Sequence, residues 1–171
     1  MSIQISVANQ LSSKDIKELS LGLLNAVQSG ASVGFLADFS LTKAEQYWQE
    51  VEKEINGNLL LLLAKEGNEI VGSVQLEQCQ KDNGSHRAEV QKLFVNPAHQ
   101  RKQIASKLMA QVELLARDNQ VSLLVLDTQS GSGAEPFYQQ LGWGKSGEIP
   151  NFALSPEGQL CATSYYYKVL H

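Results

Sequence analysis

The chain has 171 residues, 43% hydrophobic and 19% charged, which suits one globular domain with a sizeable core. Its net charge of −4 leaves no basic footprint for nucleic acid or an anionic membrane surface, so neither is expected as a partner. Residues 1–10 lack the basic start and apolar run of an export signal, and the longest apolar run, 59–64, is too short to span a bilayer. A cytoplasmic protein is therefore expected. Cys79 and Cys161 lie far apart and fit no metal spacing, so they are expected to be reduced thiols, with no metal site.

Residues 3–7 alternate as a short strand. Ser12 or Ser13 is placed to cap a helix running to about residue 28, with Ile16, Leu19, Leu23, Ala26 and Val27 on one face. Residues 30–35 form a glycine-flanked loop. Thr42 followed by Glu45 fits a capping box for a second helix that ends near residue 55, where Asn56-Gly57-Asn58 stops it. Residues 59–64 read as a buried strand, 69–80 as its return, and Asp82-Asn83-Gly84 as a hairpin turn of residues that tolerate positive φ. The next strand covers 86–95 and Pro97 breaks it. A third helix is expected over about 102–118, with Ile104, Leu108, Val112 and Leu115 at helical spacing. Residues 121–126 suit a strand covered on both faces. A short helix over 135–141 ends at Gly142, and 163–170 is a last strand. One further strand near the end is left open. The pattern predicts a mixed α/β (α+β) domain whose strand–helix–strand unit around 95–121 is a right-handed parallel crossover.

The segment from Ala88 to Ala105 carries the chemistry. A strand ends at Asn96-Pro97, a polar loop follows, and a helix begins whose first amides have no internal partner. Such a start seats a pyrophosphate, and Arg101, Lys102 and Lys107 bring positive charge to it. A solvated helix start with a few basic residues is the plainer alternative. Within the strand, Ala88 and Val90 share one phase while Leu93 and Val95 share the other. One buried face then requires an extra residue, and a β-bulge is expected near Gln91-Lys92. A bulge would splay the strand and free backbone groups for an amide-rich ligand; a strand with two solvated positions there is the alternative.

This segment resembles motif A of the GNAT superfamily of N-acetyltransferases, a strand followed by Gln or Arg-x-x-Gly-x-Gly or Ala. Here the residues are Gln100-x-x-Gln103-x-Ala105, with Gln103 in place of the first glycine. The stretch from Glu135 through Phe137 and Tyr138 to Leu141-Gly142-Trp143 resembles the later aromatic motif of that family. A narrower likeness, at 30–35, 87–93 and 126–128, is to acetyltransferases that confer tabtoxin resistance, which act on a small amino-acid-like β-lactam toxin. The resemblance implies a central, mostly antiparallel sheet of about six or seven strands with a parallel βαβ unit and flanking helices. It implies a single N-acetyltransferase domain over 1–171 that moves the acetyl group of acetyl-CoA directly to the amine of a small molecule.

The family pattern places the backbone of Leu93, Phe94 and Val95 against pantetheine. It places Gln100, Arg101, Lys102, Gln103, Ile104, Ala105 and Ser106 around the pyrophosphate. Tyr138 is the candidate donor to the leaving sulfur, or else a core aromatic whose hydroxyl meets water. An alkylammonium has a pKa near ~10, so the acceptor must lose a proton before it attacks. Glu89 and, second, Asp127 are the candidate bases, each also readable as an ion-paired or capping carboxylate. The acceptor is expected between the first two helices, which makes Phe35, Asp38 and Trp48 candidates to touch it, with core packing the plainer role for the two aromatics. Residues 130–133 either contact the far arm of the cofactor or form a plain loop. The main rival is a non-catalytic acetyl-CoA-binding or sensor domain. Neither the elbow of a hydrolase around Ser130 nor an early dinucleotide fingerprint is present in the sequence. Monomer and homodimer both remain open, and Tyr165-Tyr166-Tyr167 suggests an edge-to-edge contact.

Overall fold

The computed structural model describes residues 2–171. In chain order it contains β1 (Ile3–Val7), α1 (Ser13–Gln28), α2 (Leu41–Glu54), β2 (Leu59–Glu66), β3 (Glu69–Gln78) and β4 (Arg87–Val95). These are followed by α3 (Ile104–Asp118), β5 (Leu123–Gln129), α4 (Ala134–Gln140), β6 (Gly144–Leu154) and β7 (Leu160–Val169).

Local chemistry sets most of the boundaries. Ser12 caps α1 through a complete capping box: its hydroxyl accepts from the Asp15 amide at 3.1 Å, and the Asp15 carboxylate accepts from the Ser12 amide at 2.9 Å. The second helix begins earlier than its Thr42-Glu45 pattern suggests. Ser40 is the cap, accepting from the Lys43 amide at 3.2 Å. Asp82-Asn83-Gly84 forms a 3₁₀ turn rather than a tight hairpin of positive φ. Gly84 is needed there for another reason, since a Cβ would lie 2.7 Å from Cys79 Sγ.

The seven strands form one sheet in the order β1-β2-β3-β4-β5-β7-β6. Every neighbouring pair is antiparallel except β4–β5. This is the mixed α/β arrangement expected. Helices cover both faces. On one face Leu19, Leu23 and Val27 of α1 and Trp48 of α2 pack against Leu61 and Leu63. On the other, Ile104, Leu108 and Val112 of α3 pack with Leu62, Tyr138 and Trp143. The alternation along β2 follows, since neighbours on a strand face opposite layers.

The unplaced strand is β6, exposed along nearly its whole length. It occupies the sheet edge, so β7 is paired on both sides and Tyr165–Tyr167 cannot form an edge-to-edge contact. Among the described residues no helix is long and apolar enough to cross a membrane.

Candidate active site between the splayed parallel strands

β4 carries the bulge. Ser73 faces Phe94 and Gln75 faces Gln91, so Lys92 and Leu93 together oppose Val74 alone. Lys92 takes a left-handed conformation, φ 53°. The consequence is visible in the core: Ala88 and Val90 before the bulge, and Leu93 and Val95 after it, all pack on the α3 side. The phase change in the sequence is therefore a change of register with no change of face.

The same bulge opens the site. The parallel pairing of β4 with β5 covers only Arg87–Leu123, Ala88–Leu124 and Glu89–Val125. Beyond Glu89 the two strands diverge, and among the described residues the β5-side backbone of Val90 to Val95 has no strand partner. The gap is the mouth of a cleft of about 1300 Å³.

At one end of the cleft the chain turns through a 3₁₀ segment (Pro97–His99) into α3. Gln103 is the residue before the helix, exposed and left-handed at φ 58°, and among the described residues no side chain caps the helix. The amides of Ile104, Ala105 and Ser106 are left free for an anion, aided by the helix dipole. Gln100, Arg101 and Gln103 to Ser106 all line the cleft there, as do Leu93, Phe94 and Val95. Lys102 does not. Its ammonium pairs with Glu66 at 3.0 Å, and His99 Nδ1 meets the same carboxylate at 3.0 Å. Glu66, at the end of β2, thus straps the turn to the sheet, and its carboxyl is held below the usual carboxylate range, chiefly by Lys102.

Tyr138 lines the cleft from α4. Its ring packs on Phe137, Trp143 and Tyr166. Among the described residues its hydroxyl has no hydrogen-bond partner. Burial, with the charge of Asp127 added, pushes its pKa up to about 12, so the phenol keeps its proton at any working pH. The helix that carries it is pinned by Glu135, which accepts from the Gly131 amide at 2.6 Å and the Tyr166 hydroxyl at 2.7 Å and pairs with Lys145 at 3.1 Å.

Glu89 and Asp127 both line the cleft and both are exposed. Thr163 Oγ1 donates to Asp127 Oδ2 at 2.7 Å and fixes that carboxylate. The charge of Asp127 acts on Tyr138, Lys92 and Tyr165, and that of Glu89 on Lys92 and Tyr165. The candidate acid and the two candidate bases therefore share one electrostatic neighbourhood.

The other end of the cleft is walled by the α1–α2 loop and the β6–β7 hairpin, joined where the Ala37 amide donates to the Pro156 carbonyl at 2.8 Å. In β6 the residues Pro150, Asn151 and Phe152 oppose Ala162 alone, and this wide bulge brings Phe152 to the cleft. Of the residues proposed for the acceptor, Trp48 is fully buried in the core and Asp38 is an exposed partner of Lys43 at 3.1 Å; neither lines the cleft. Phe35 does not line the cleft either: it stacks on Phe39 and lies 5.1 Å below the Lys92 ammonium. Lys92, Thr163 and Phe152 are site residues that the sequence reading did not single out. Only Lys92 carried a signal, through its place in the expected bulge.

A seven-stranded mixed sheet whose one parallel pair splays over a helix start defines the class of GNAT-fold domains. The family model described as the acetyltransferase (GNAT) domain matches residues 13–153. The chain belongs to this family. Three solved structures illustrate the fold. A ribosomal-protein-alanine N-acetyltransferase from Brucella melitensis is 17% identical at a TM-score of 0.79, covering 99% of this chain and 100% of its own. The yncA protein of Salmonella typhimurium, solved with its cofactor acetyl-CoA, is 18% identical at 0.79, covering 100% and 95%. An N-acetyltransferase from Staphylococcus aureus Mu50 is 14% identical at 0.77, covering 100% of both chains. At these identities the likeness is one of fold alone.

Proposed function

We propose that the protein transfers an acetyl group from acetyl-CoA to the amine of a small molecule, directly and within a ternary complex. The observation that carries this reading is the splayed end of β4 and β5, which opens on the free amides of α3 and on the Tyr138 hydroxyl together. The residues present suit the cofactor. The cleft, about 1300 Å³, is larger than the roughly 300–1,000 Å³ usual for drug-sized ligands. Arg101 adds charge at the amides. The exposed Gln103 already holds the conformation that favours glycine at this position, so its departure from the motif costs backbone strain of about 1–2 kcal/mol and leaves the amides free.

Acetyl-CoA supplies the acetyl group as a thioester and departs as a thiol. The backbone of Leu93, Phe94 and Val95 pairs with its pantetheine amides, and the amides of Ile104 to Ser106 with Gln100 and Arg101 hold the pyrophosphate. Glu89 or Asp127 takes the proton from the acceptor ammonium, directly or through water, and frees the lone pair that attacks. Tyr138, kept protonated by its surroundings, donates to the leaving sulfur. The amino-acid-like β-lactam toxin belongs in the acceptor panel on the strength of the sequence likeness at 30–35, 87–93 and 126–128.

The test is thermal melting with and without acetyl-CoA, followed by thiol release with an amine panel. Cofactor at about 100-fold above Kd stabilises by about 2.7 kcal/mol, a rise on the order of 5–10 °C for a chain of this size. No rise at saturating acetyl-CoA overturns the reading. A rise with no thiol release on any amine identifies a binding domain without turnover.

A further inference from the structure

Lys92 is placed at some cost to the fold. It is a non-glycine residue in the left-handed region, where a glycine would hold the bulge without strain. Its ammonium is half-buried, and burial pulls its pKa down against the opposing charges of Asp127 and Glu89. Among the described residues no carboxylate lies within ion-pair distance of it. Its contacts are the Val33 carbonyl, which accepts from Nζ at 2.7 Å, and the face of Phe35. The α1–α2 loop is shaped to receive it: Gly34 has φ +91°, and a Cβ there would stand 2.6 Å from Lys92 Nζ. An ammonium has three donors, and the one carbonyl uses one of them. Tying down a loop needs only a neutral donor; a half-buried cation with no carboxylate in direct contact among the described residues needs a further reason.

Lys92 also lines the cleft with Glu89 and Asp127. One ammonium and two carboxylates face the same space, the inverse of the charges on a molecule that carries a carboxylate beside its amine. On the acetyl-transfer reading above, we infer that Lys92 binds the carboxylate of the acceptor, and that the acceptor is therefore an amino acid or a close analogue with its amine adjacent to an anionic group. The amine then lies toward Glu89 and Asp127, and the carboxylate supplies the direct ion pair that Nζ lacks among the described residues.

The experiment compares free amino acids with their decarboxylated amines, lysine with cadaverine and phenylalanine with phenethylamine among them, by thiol release from acetyl-CoA. The wild-type enzyme is expected to prefer the member that keeps its carboxylate. Lys92→Gly suits the bulge backbone but gives up the bond to the Val33 carbonyl and the contact with Phe35, so its melting temperature should fall modestly while its acetyl-CoA affinity holds. Its preference for the carboxylated member should fall roughly 10- to 100-fold, through KM rather than kcat. Lys92→Arg, which keeps the charge, should retain most of the preference. Wild-type turnover of the decarboxylated amines equal to that of the amino acids overturns this inference and leaves acetyl transfer standing. An unchanged preference in Lys92→Gly also overturns it. Acetyl-CoA binding with no thiol release on either set overturns this inference, while release with any other amine of the panel leaves acetyl transfer standing.

Discussion

At one end of the cleft the groups offered to a ligand are backbone amides at the start of α3; at the other they are side chains carried by the β4 bulge, the α1–α2 loop and the β6–β7 hairpin. The difference decides what each end tolerates. Backbone donors survive a change of side chain, which is how Gln103 occupies a position where the family motif has glycine. Side-chain donors do not survive it, and the far end is assembled from segments far apart in sequence, as in the contact of Lys92 with Val33. The first end suits a ligand shared across a family, and the second suits whatever distinguishes one member from the next. Tyr138, Glu89 and Asp127 sit where the two meet.

The largest effect is expected at that junction. Tyr138→Phe keeps the ring among Phe137, Trp143 and Tyr166 and removes only a hydroxyl that has no partner among the described residues. Turnover should fall by about 100-fold or more, the usual weight of a positioned proton donor. Acetyl-CoA affinity and melting temperature should stay within error, because neither the amides nor the core is touched. Wild-type kcat in the variant would remove Tyr138 from the chemistry and leave it as a core aromatic.

A smaller effect, confined to the acceptor end, should follow Gly34→Ala. The substitution forces an alanine to φ +91° and sets its Cβ against Lys92 Nζ. The lysine tip can move aside, so backbone strain in the loop is the main cost. Acceptor KM should rise about tenfold while the acetyl-CoA Kd stays put. If both constants rise together, the two ends are mechanically one site and the contrast between them fails.

The sequence made the first end legible for a physical reason. A strand buried on one face cannot change phase without an added residue, so Val90 and Leu93 announced the bulge, and the bulge implies the splay. The helix start after Pro97 and the aromatic helix before Gly142 are local in sequence, and local signals are readable. Of the second end only the bulge itself, with Lys92, carried such a signal; the α1–α2 loop and the β6–β7 hairpin had none. β6 is exposed on nearly every residue and so lacks the alternation that marks a half-buried strand; Pro150 and the left-handed Asn151 argue against a strand altogether. Phe152 reaches the cleft only because three residues bulge opposite Ala162. The start of α2 is ambiguous in the sequence because Ser40 and Thr42 are both capable caps, and nothing local chooses between them.

The smallest effect is also the one that tests the backbone end directly. Gln103 holds φ 58° in front of α3 with no side-chain bond to cap the helix, so the position asks for the conformation and makes no evident use of the side chain. Gln103→Gly should remove strain of about 1 kcal/mol, worth a rise of roughly 2–4 °C in melting temperature for a chain of this length. Glycine also loses more entropy on folding, which offsets part of that gain. Acetyl-CoA affinity should be kept or modestly improved, because the amides of Ile104, Ala105 and Ser106 stay where they are. A large loss of affinity would show that Gln103 is itself a ligand, and the cofactor end would then depend on side chains as the acceptor end does.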